Sequence, residues 1–156
     1  MPGIITEIDN QLNILLADDD ADDRMFFSDA TTGFPQHIQV TTVNDGIQLM
    51  QLLSEPETIL PAMLFLDLNM PVKNGFQCLS EIRNNDRLKN LFIIIYSTTA
   101  NPAEIAEAYA GGANLFINKP NSFTGLKHII EKVLSLDIKE YSSPVKERFI
   151  LTTSEV

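Results

Sequence analysis

The chain has 156 residues, of which 44% are hydrophobic and 21% charged, and its formal net charge is −10. This length and composition predict one soluble globular domain with a core large enough to fold alone. The negative charge argues against binding to nucleic acid or to an anionic membrane surface, because both need basic patches. The single cysteine, Cys78, excludes an intramolecular disulfide and favours a reduced compartment, and its apolar neighbours favour burial. No signal peptide and no membrane-spanning apolar run is recognisable, so we expect a cytoplasmic protein.

Short apolar runs alternate along the chain with segments of helical period. Most of the runs are continuously apolar, as in strands that are buried on both faces of a parallel sheet. The predicted strands cover residues 13–17, 38–43, 62–67, 91–97 and 113–118. The predicted helices cover residues 22–32, 46–53, 75–84 and 102–110, and a last helix contains Leu126, Ile129, Ile130, Val133 and Leu134. Strict alternation of strands and helices predicts an α/β fold with right-handed crossovers.

Polar side chains follow four of these strands directly. In a doubly wound sheet, ligands bind outside the carboxyl ends of the strands, so these side chains are the candidates for a functional site. Three aspartates follow the first strand, an aspartate ends the third, hydroxyl side chains end the fourth, and a lysine follows the fifth. They are Asp18, Asp19 and Asp20, then Asp67, then Ser97, Thr98 and Thr99, and finally Lys119.

These residue types together suit phosphoryl transfer. Neighbouring carboxylates cannot all stay ionised unless a cation joins them, and Mg²⁺ prefers oxygen ligands of this kind. Lys119 can neutralise a phosphoryl group, and the hydroxyls of Ser97 or Thr98 can donate to its oxygens. Positioning and charge neutralisation do most of the work in such a transfer. Asp67 stands alone at the end of the central run and is the candidate nucleophile, which would form an acyl phosphate.

With these residues in place, the chain resembles the receiver domain of two-component response regulators, and especially the stand-alone kind that includes the chemotaxis regulators. The resemblance covers residues 12–136. It implies a doubly wound (βα)5 flavodoxin-like fold, with a five-stranded parallel sheet in the order 2-1-3-4-5. Residues 1–11 would then be an N-terminal extension. Residues 137–156 would be a short C-terminal tail without an output domain, and its "RFILTT" segment would pack on the domain or on a partner, with the last residues disordered.

The resemblance also implies a role for individual residues. In "LFLDLNMPVKNG", Asp67 matches the phosphoacceptor, with Met70-Pro71 and Gly75 at the family's spacing. Ser97 lies 30 residues after Asp67 and matches the switch hydroxyl, and Lys119 lies 22 residues after Ser97 and matches the family's lysine. The remaining implied roles are metal binding by Asp18, Asp19, Asp67 and the backbone carbonyl of Asn69, phosphoryl binding by Thr98, an aromatic switch at Phe116, and a cis Lys119-Pro120 peptide bond.

The function that follows from the resemblance is signalling rather than catalysis. A histidine kinase or a histidine phosphotransfer protein would donate a phosphoryl group to Asp67, with Mg²⁺ as cofactor. Ser97 and Phe116 would then change a surface that a downstream protein reads. The cognate kinase and the downstream target are not encoded in any motif, and a homodimer is left open.

Three other interpretations compete with this one. The same fold can serve as an interaction module that needs no phosphorylation. A hydrolase with an aspartyl-phosphate intermediate, like the haloacid dehalogenase group, needs a second acid two residues after the nucleophile, and Asn69 stands there. A calcium loop could use Asp18, Asp20, Asp22 and Asp29, but it lacks the glycine at its sixth position. Asp20, Asp22 and Asp23 are also explained as the acidic first turn of a helix, and metal binding by Asp20 stays open.

Overall fold

The computed structural model describes residues 11–99 and 101–152. Five parallel strands alternate with five helices along the chain. The strands are β1 (Gln11–Ala17), β2 (His37–Val43), β3 (Met63–Leu66), β4 (Ile93–Ser97) and β5 (Leu115–Asn118). The helices are α1 (Ala21–Ala30), α2 (Gly46–Ser54), α3 (Gly75–Arg83), α4 (Pro102–Ala110) and α5 (Phe123–Ser135). The predicted N-terminal extension lies almost entirely outside the described residues, and so does the end of the tail at residues 153–156.

The strand order is β2-β1-β3-β4-β5, which confirms the predicted order, and a sixth strand extends it. Every neighbouring pair is parallel. Because β2 and β3 lie on opposite sides of β1, the chain reverses its winding direction between β1 and β3. The carboxyl ends of β1 and β3 therefore border the crevice in which doubly wound folds bind ligands.

The sheet is covered by apolar side chains on both faces. One core contains Leu49 of α2, Leu79 of α3 and Ala108 of α4 against the sheet. The other contains Phe27 of α1 and Ile129 of α5. All residues of β3 and β4 are buried, as the continuous apolar runs predict. Cys78 is also buried, which confirms the prediction for it.

The tail contributes a strand that the sequence pattern did not identify. After two short 3-10 turns, at Ile138–Tyr141 and Lys146–Arg148, the strand β6 (Ile150–Leu151) pairs in parallel with β5. Just before it, the backbone carbonyl of Phe149 accepts a hydrogen bond from the amide of Phe116 at 2.8 Å. The Phe149 side chain is 3% exposed and its ring meets those of Phe116 and Tyr109. The segment therefore packs on its own domain, one of the two locations expected for it.

We expect the packing of the tail to contribute to the stability of the domain. Phe149→Ala removes a buried ring, and we expect the free energy of unfolding to fall by roughly 2–4 kcal/mol in chemical denaturation. Ile150→Ala, in the same strand but 47% exposed, is the matched control and should change it by less than about 1 kcal/mol. Hydrogen exchange of the Phe116 amide should quicken in the first variant only. Equal losses in both variants would show that Phe149 does not anchor the tail.

Candidate functional site

Strand register brings the predicted site residues to one edge of the sheet. Three backbone hydrogen bonds extend the ladders just past the strand ends. The amide of Asp18 donates to Val43, that of Asp67 donates to Ala17, and that of Lys119 donates to Ser97, at 2.7–3.1 Å. Each of these three residues is thus held at the sheet edge by a backbone hydrogen bond to the neighbouring strand. Side chains that are up to 101 residues apart in sequence meet for this reason.

Asp18, Asp19 and Asp67 form the acidic part of the site. Each can offer one carboxylate oxygen, and the three oxygens lie within 4.8 Å of one another. Asp18 is fully buried and Asp67 is 5% exposed, whereas Asp19 faces solvent. A hard divalent cation with oxygen ligands fits this donor set.

Lys119 lies against the same carboxylates. Its Nζ is 2.8 Å from Asp18 Oδ2, 2.9 Å from Asp23 Oδ2 and 3.4 Å from Asp67 Oδ2. Burial by itself lowers the pKa of Lys119, but hydrogen bonds to Asp18 and Asp23 outweigh it and the pKa is raised. The lysine therefore remains a cation across the physiological range and partly offsets the buried negative charge.

Burial makes Asp67 a weaker acid. Loss of solvent raises its pKa from the ordinary 3.8 to about 6, although the charge of Lys119 acts in the opposite direction. Burial also raises the pKa of Asp18, against hydrogen bonds from Lys119 and from the backbone of Asp20. The backbone amide of Asn69 donates to Asp67 Oδ1 at 3.2 Å. This bond places Asn69 beside the acceptor, in the loop where its carbonyl was predicted to serve as a ligand.

The acidic stretch after β1 divides between the site and helix α1. Asp20 is the N-cap of α1 and accepts a hydrogen bond from the amide of Asp23 at 3.0 Å. This confirms its structural interpretation, and Asp20 is not a member of the acidic group. Since α1 begins at Ala21, Asp22 and Asp29 are helical and no twelve-residue calcium loop exists there. The calcium interpretation is therefore wrong.

Asp23 is the residue of the candidate site that sequence reasoning missed. The sequence placed it in the first turn of α1, which is correct. Its side chain also pairs with Lys119, 96 residues away. No spacing rule connects the two positions. The sequence places Asp22 and Asp23 in the first helical turn but does not say which of them faces the site, because that depends on how the helix packs.

The hydroxyl and aromatic residues lie along β4 and β5. Ser97 is fully buried and its Oγ accepts a hydrogen bond from the amide of Thr99 at 3.3 Å. Thr98 is exposed and lines a cleft of about 380 Å³ together with Asp23 and Lys119. Phe116 is 1% exposed in this structure. The switch expected from the resemblance has the ring turning inward, and here it is already buried.

The predicted cis peptide bond before Pro120 is wrong. No cis bond occurs in residues 11–99 and 101–152, so Lys119-Pro120 is trans. The trans form is the more stable isomer by about 0.5–1 kcal/mol before proline. With it, Lys119 makes both its backbone bond to Ser97 and its side-chain contacts with the carboxylates.

The loop between β3 and α3 approaches the site closely. A Cβ on Gly75 would lie 2.4 Å from the carbonyl oxygen of Asp67, so only glycine allows α3 to begin there. Val72 in the same loop has a φ of 67°, a left-handed conformation that is strained for a β-branched residue. The loop after the acceptor is therefore close-packed at Gly75 and strained at Val72.

Comparison with known proteins gives the class of this domain. The model of the family described as "Response regulator receiver domain" matches residues 14–131. The chain therefore belongs to the response regulator receiver family of two-component signalling. Domains of this family are generally signalling modules rather than enzymes.

Similar proteins agree with this assignment. A probable chemotaxis protein CheY from Rhizobium etli is 32% identical over 128 residues, which is 81% of this chain and 95% of that protein. A probable methanogenesis regulatory protein, FilR2 of Methanothrix harundinacea, is 30% identical over 89% of this chain and 88% of its own.

Solved structures show the same fold. The phosphorylated cyanobacterial phytochrome response regulator RcpA has a TM-score of 0.73 and 29% identity, over 79% of this chain and 91% of that one. The Mn²⁺-bound form of response regulator Rcp1 has a TM-score of 0.72 at 24% identity, over 80% and 93% of the two chains. In the part of this chain that the structure describes, no helix is long and apolar enough to cross a membrane.

The buried charge of Asp67 predicts a pH-dependent stability without metal. Because its pKa is higher in the folded protein than the ordinary 3.8, its contribution is most favourable below pH 3.8 and is lost as pH rises through about 6. Asp67→Asn should raise the Tm at pH 7 without Mg²⁺, by the equivalent of roughly 1–3 kcal/mol. The gain should shrink as pH falls from 6 to 4 in thermal scans.

Asp22→Asn is the control, since it removes the same charge from an exposed position. It should leave the Tm nearly unchanged. An equal or lower Tm for Asp67→Asn at pH 7 would contradict the expected cost of the buried carboxylate.

The strain at Val72 predicts a stabilising substitution. Its side chain is 88% exposed, so little burial is lost when it is removed. Val72→Gly relieves the left-handed conformation, and we expect a gain of roughly 1 kcal/mol in unfolding free energy. Val72→Ala keeps the Cβ and should gain less. A glycine variant no more stable than the alanine variant in chemical denaturation would mean that the loop is unstrained.

Proposed function

We propose that this protein is a response regulator that accepts a phosphoryl group on Asp67 from a histidine kinase or a histidine phosphotransfer protein. The observation that carries the proposal is the position of Asp67. It directly follows strand β3, and its carboxylate lies within 4.8 Å of those of Asp18 and Asp19 and 3.4 Å from Lys119 Nζ. Asp67 contacts Lys119, and it is the acid of this group that the loop after β3 orients through the amide of Asn69, so it is the natural acceptor.

The transfer uses the charges that surround Asp67. A carboxylate oxygen of Asp67 attacks the phosphorus of the donor phosphohistidine. The P–N bond breaks with its electron pair remaining on the imidazole nitrogen, and a P–O bond to Asp67 forms. Lys119 offsets charge on the transferred oxygens, and the hydroxyls of Ser97 and Thr98 donate hydrogen bonds to them.

Mg²⁺ is the cofactor that the donor set favours. Asp18, Asp19, Asp67 and the backbone carbonyl of Asn69 would hold it. When bound, the ion lowers the electrostatic cost of bringing an anionic phosphoryl group to a carboxylate. The residues themselves keep the acceptor oriented, since Asp67 Oδ1 is held by the amide of Asn69.

The signal leaves the site through β4 and β5. Ser97, at the end of β4, would move toward the phosphoryl group, and this change would alter the packing of Phe116 in β5. Phe116 is in contact with Phe149 of the tail through both its backbone and its ring. A change at Phe116 would therefore reach the tail and the surface that it covers, where a downstream protein binds. This is a local charge event read by a two-state element.

The second candidate is an interaction module of the same fold that works without phosphorylation. It is favoured by the tail, which completes the sheet edge in the state described. The complete set of acids, hydroxyl and lysine favours the phosphorylated function instead. A rise in Tm on addition of Mg²⁺, abolished in Asp67→Asn, distinguishes them, because only the phosphoacceptor function needs the ion at this site.

The phosphoacceptor role is tested directly by labelling. With Mg²⁺ and a small-molecule phosphodonor, the wild-type protein should gain one acid-stable, base-labile phosphoryl group by mass spectrometry. Asp67→Asn should gain none, because an amide is not a nucleophile for this step. Asp29→Asn, an exposed acid on α1, should be labelled like the wild type. Full labelling of the Asp67 variant would refute the assignment.

A further inference from the structure

All three N–H donors of the Lys119 ammonium group have a carboxylate partner. It carries three N–H donors, and three carboxylate oxygens lie within ion-pair distance of it. The lysine side chain is 9% exposed. A phosphoryl oxygen that binds Lys119 must therefore take the place of one of the three carboxylates.

The three carboxylates differ in what their displacement costs. Asp18 is fully buried, and losing its cation would leave an uncompensated charge in the interior. Asp67 carries the new group, and its contact with Lys119, the longest of the three at 3.4 Å, passes to the phosphoryl oxygens. The side chain of Asp23 is 40% exposed, so it can return to water at little cost. Apart from the acceptor itself, Asp23 is thus the ligand of Lys119 that is easiest to release.

The surroundings of Asp23 allow this movement. It lines the cleft of about 380 Å³ that also borders Lys119 and Thr98, so its carboxylate has open space beside it. Its backbone is held independently, because its amide donates to the N-cap Asp20. Rotation of the side chain therefore leaves the start of α1 intact.

We propose that Asp23 is a positioning residue that occupies Lys119 in the resting protein and is displaced by the phosphoryl group, so that it lowers the affinity of the site for that group. The inference rests on the proposed function, since it concerns the same site. Asp23 acts as a competitor, holding the lysine aimed at Asp67 and leaving once a stronger anion arrives. The strength of this one ion pair then contributes to setting how readily the site is occupied.

The test measures binding of beryllofluoride, a tetrahedral phosphoryl analogue, in saturating Mg²⁺ by isothermal titration calorimetry. Asp23→Asn should bind it roughly two- to fivefold more tightly than the wild type, in keeping with a partly exposed ion pair. Asp22→Asn is the matched control, because it removes the same charge one residue away and has no contact with Lys119 among those found in the described residues. Asp23→Glu keeps a carboxylate within reach of the lysine and should bind like the wild type.

The outcomes separate the inference from the function on which it rests. If the wild type binds the analogue and Asp23→Asn binds no more tightly than Asp22→Asn, the competitor role is refuted while the phosphoacceptor role stands. If the wild type does not bind the analogue at all, both are overturned. Thermal unfolding of each variant without ligand confirms that the comparison is made on folded protein, and Asp23→Ala provides a second neutral variant with the same expected gain.

Discussion

The buried ammonium group of Lys119 stabilises the carboxylates at the carboxyl edge of this sheet. Asp18 and Asp67 are both almost fully buried, and two carboxylates at that distance cannot remain ionised without a compensating charge. Lys119 provides it from the end of β5, at 2.8 Å and 3.4 Å. The compensation is incomplete, since burial still raises the pKa of Asp67 to about 6. A site with residual negative charge and oxygen ligands is prepared for a second cation, and this is why the donor set favours Mg²⁺.

The same lysine connects the chemistry to the rest of the chain. It follows β5, the strand that carries Phe116, and β5 is paired on one side with β4 and on the other with β6 of the tail. The sheet would otherwise end in β5 as an open edge, and an unpaired edge strand invites pairing with another chain. Here Phe149 and Ile150 close it from within. Strand β5 therefore contacts the tail on one side and leads into the candidate site at its end.

Asp23 makes one local contact through its backbone and one long-range contact through its side chain. Its backbone amide completes the cap of α1, and its carboxylate holds Lys119. Helix capping is local and leaves the side chain of Asp23 free, so the two roles do not compete. A residue of this kind can tune a site without belonging to the set that performs the chemistry.

The sequence by itself determined the alternation of strands and helices, the strand ends at which Asp18, Asp67, Ser97 and Lys119 lie, and the cap at Asp20. These follow from local rules: apolar runs, helical period and side-chain capping act over a few residues. The resemblance added the strand order. Tertiary structure alone decided the pairing of Asp23 with Lys119, the buried position of Phe116, the trans bond before Pro120 and the strand β6. Each of these depends on which surfaces meet after folding, and a contact across 96 residues leaves no periodic trace in the sequence.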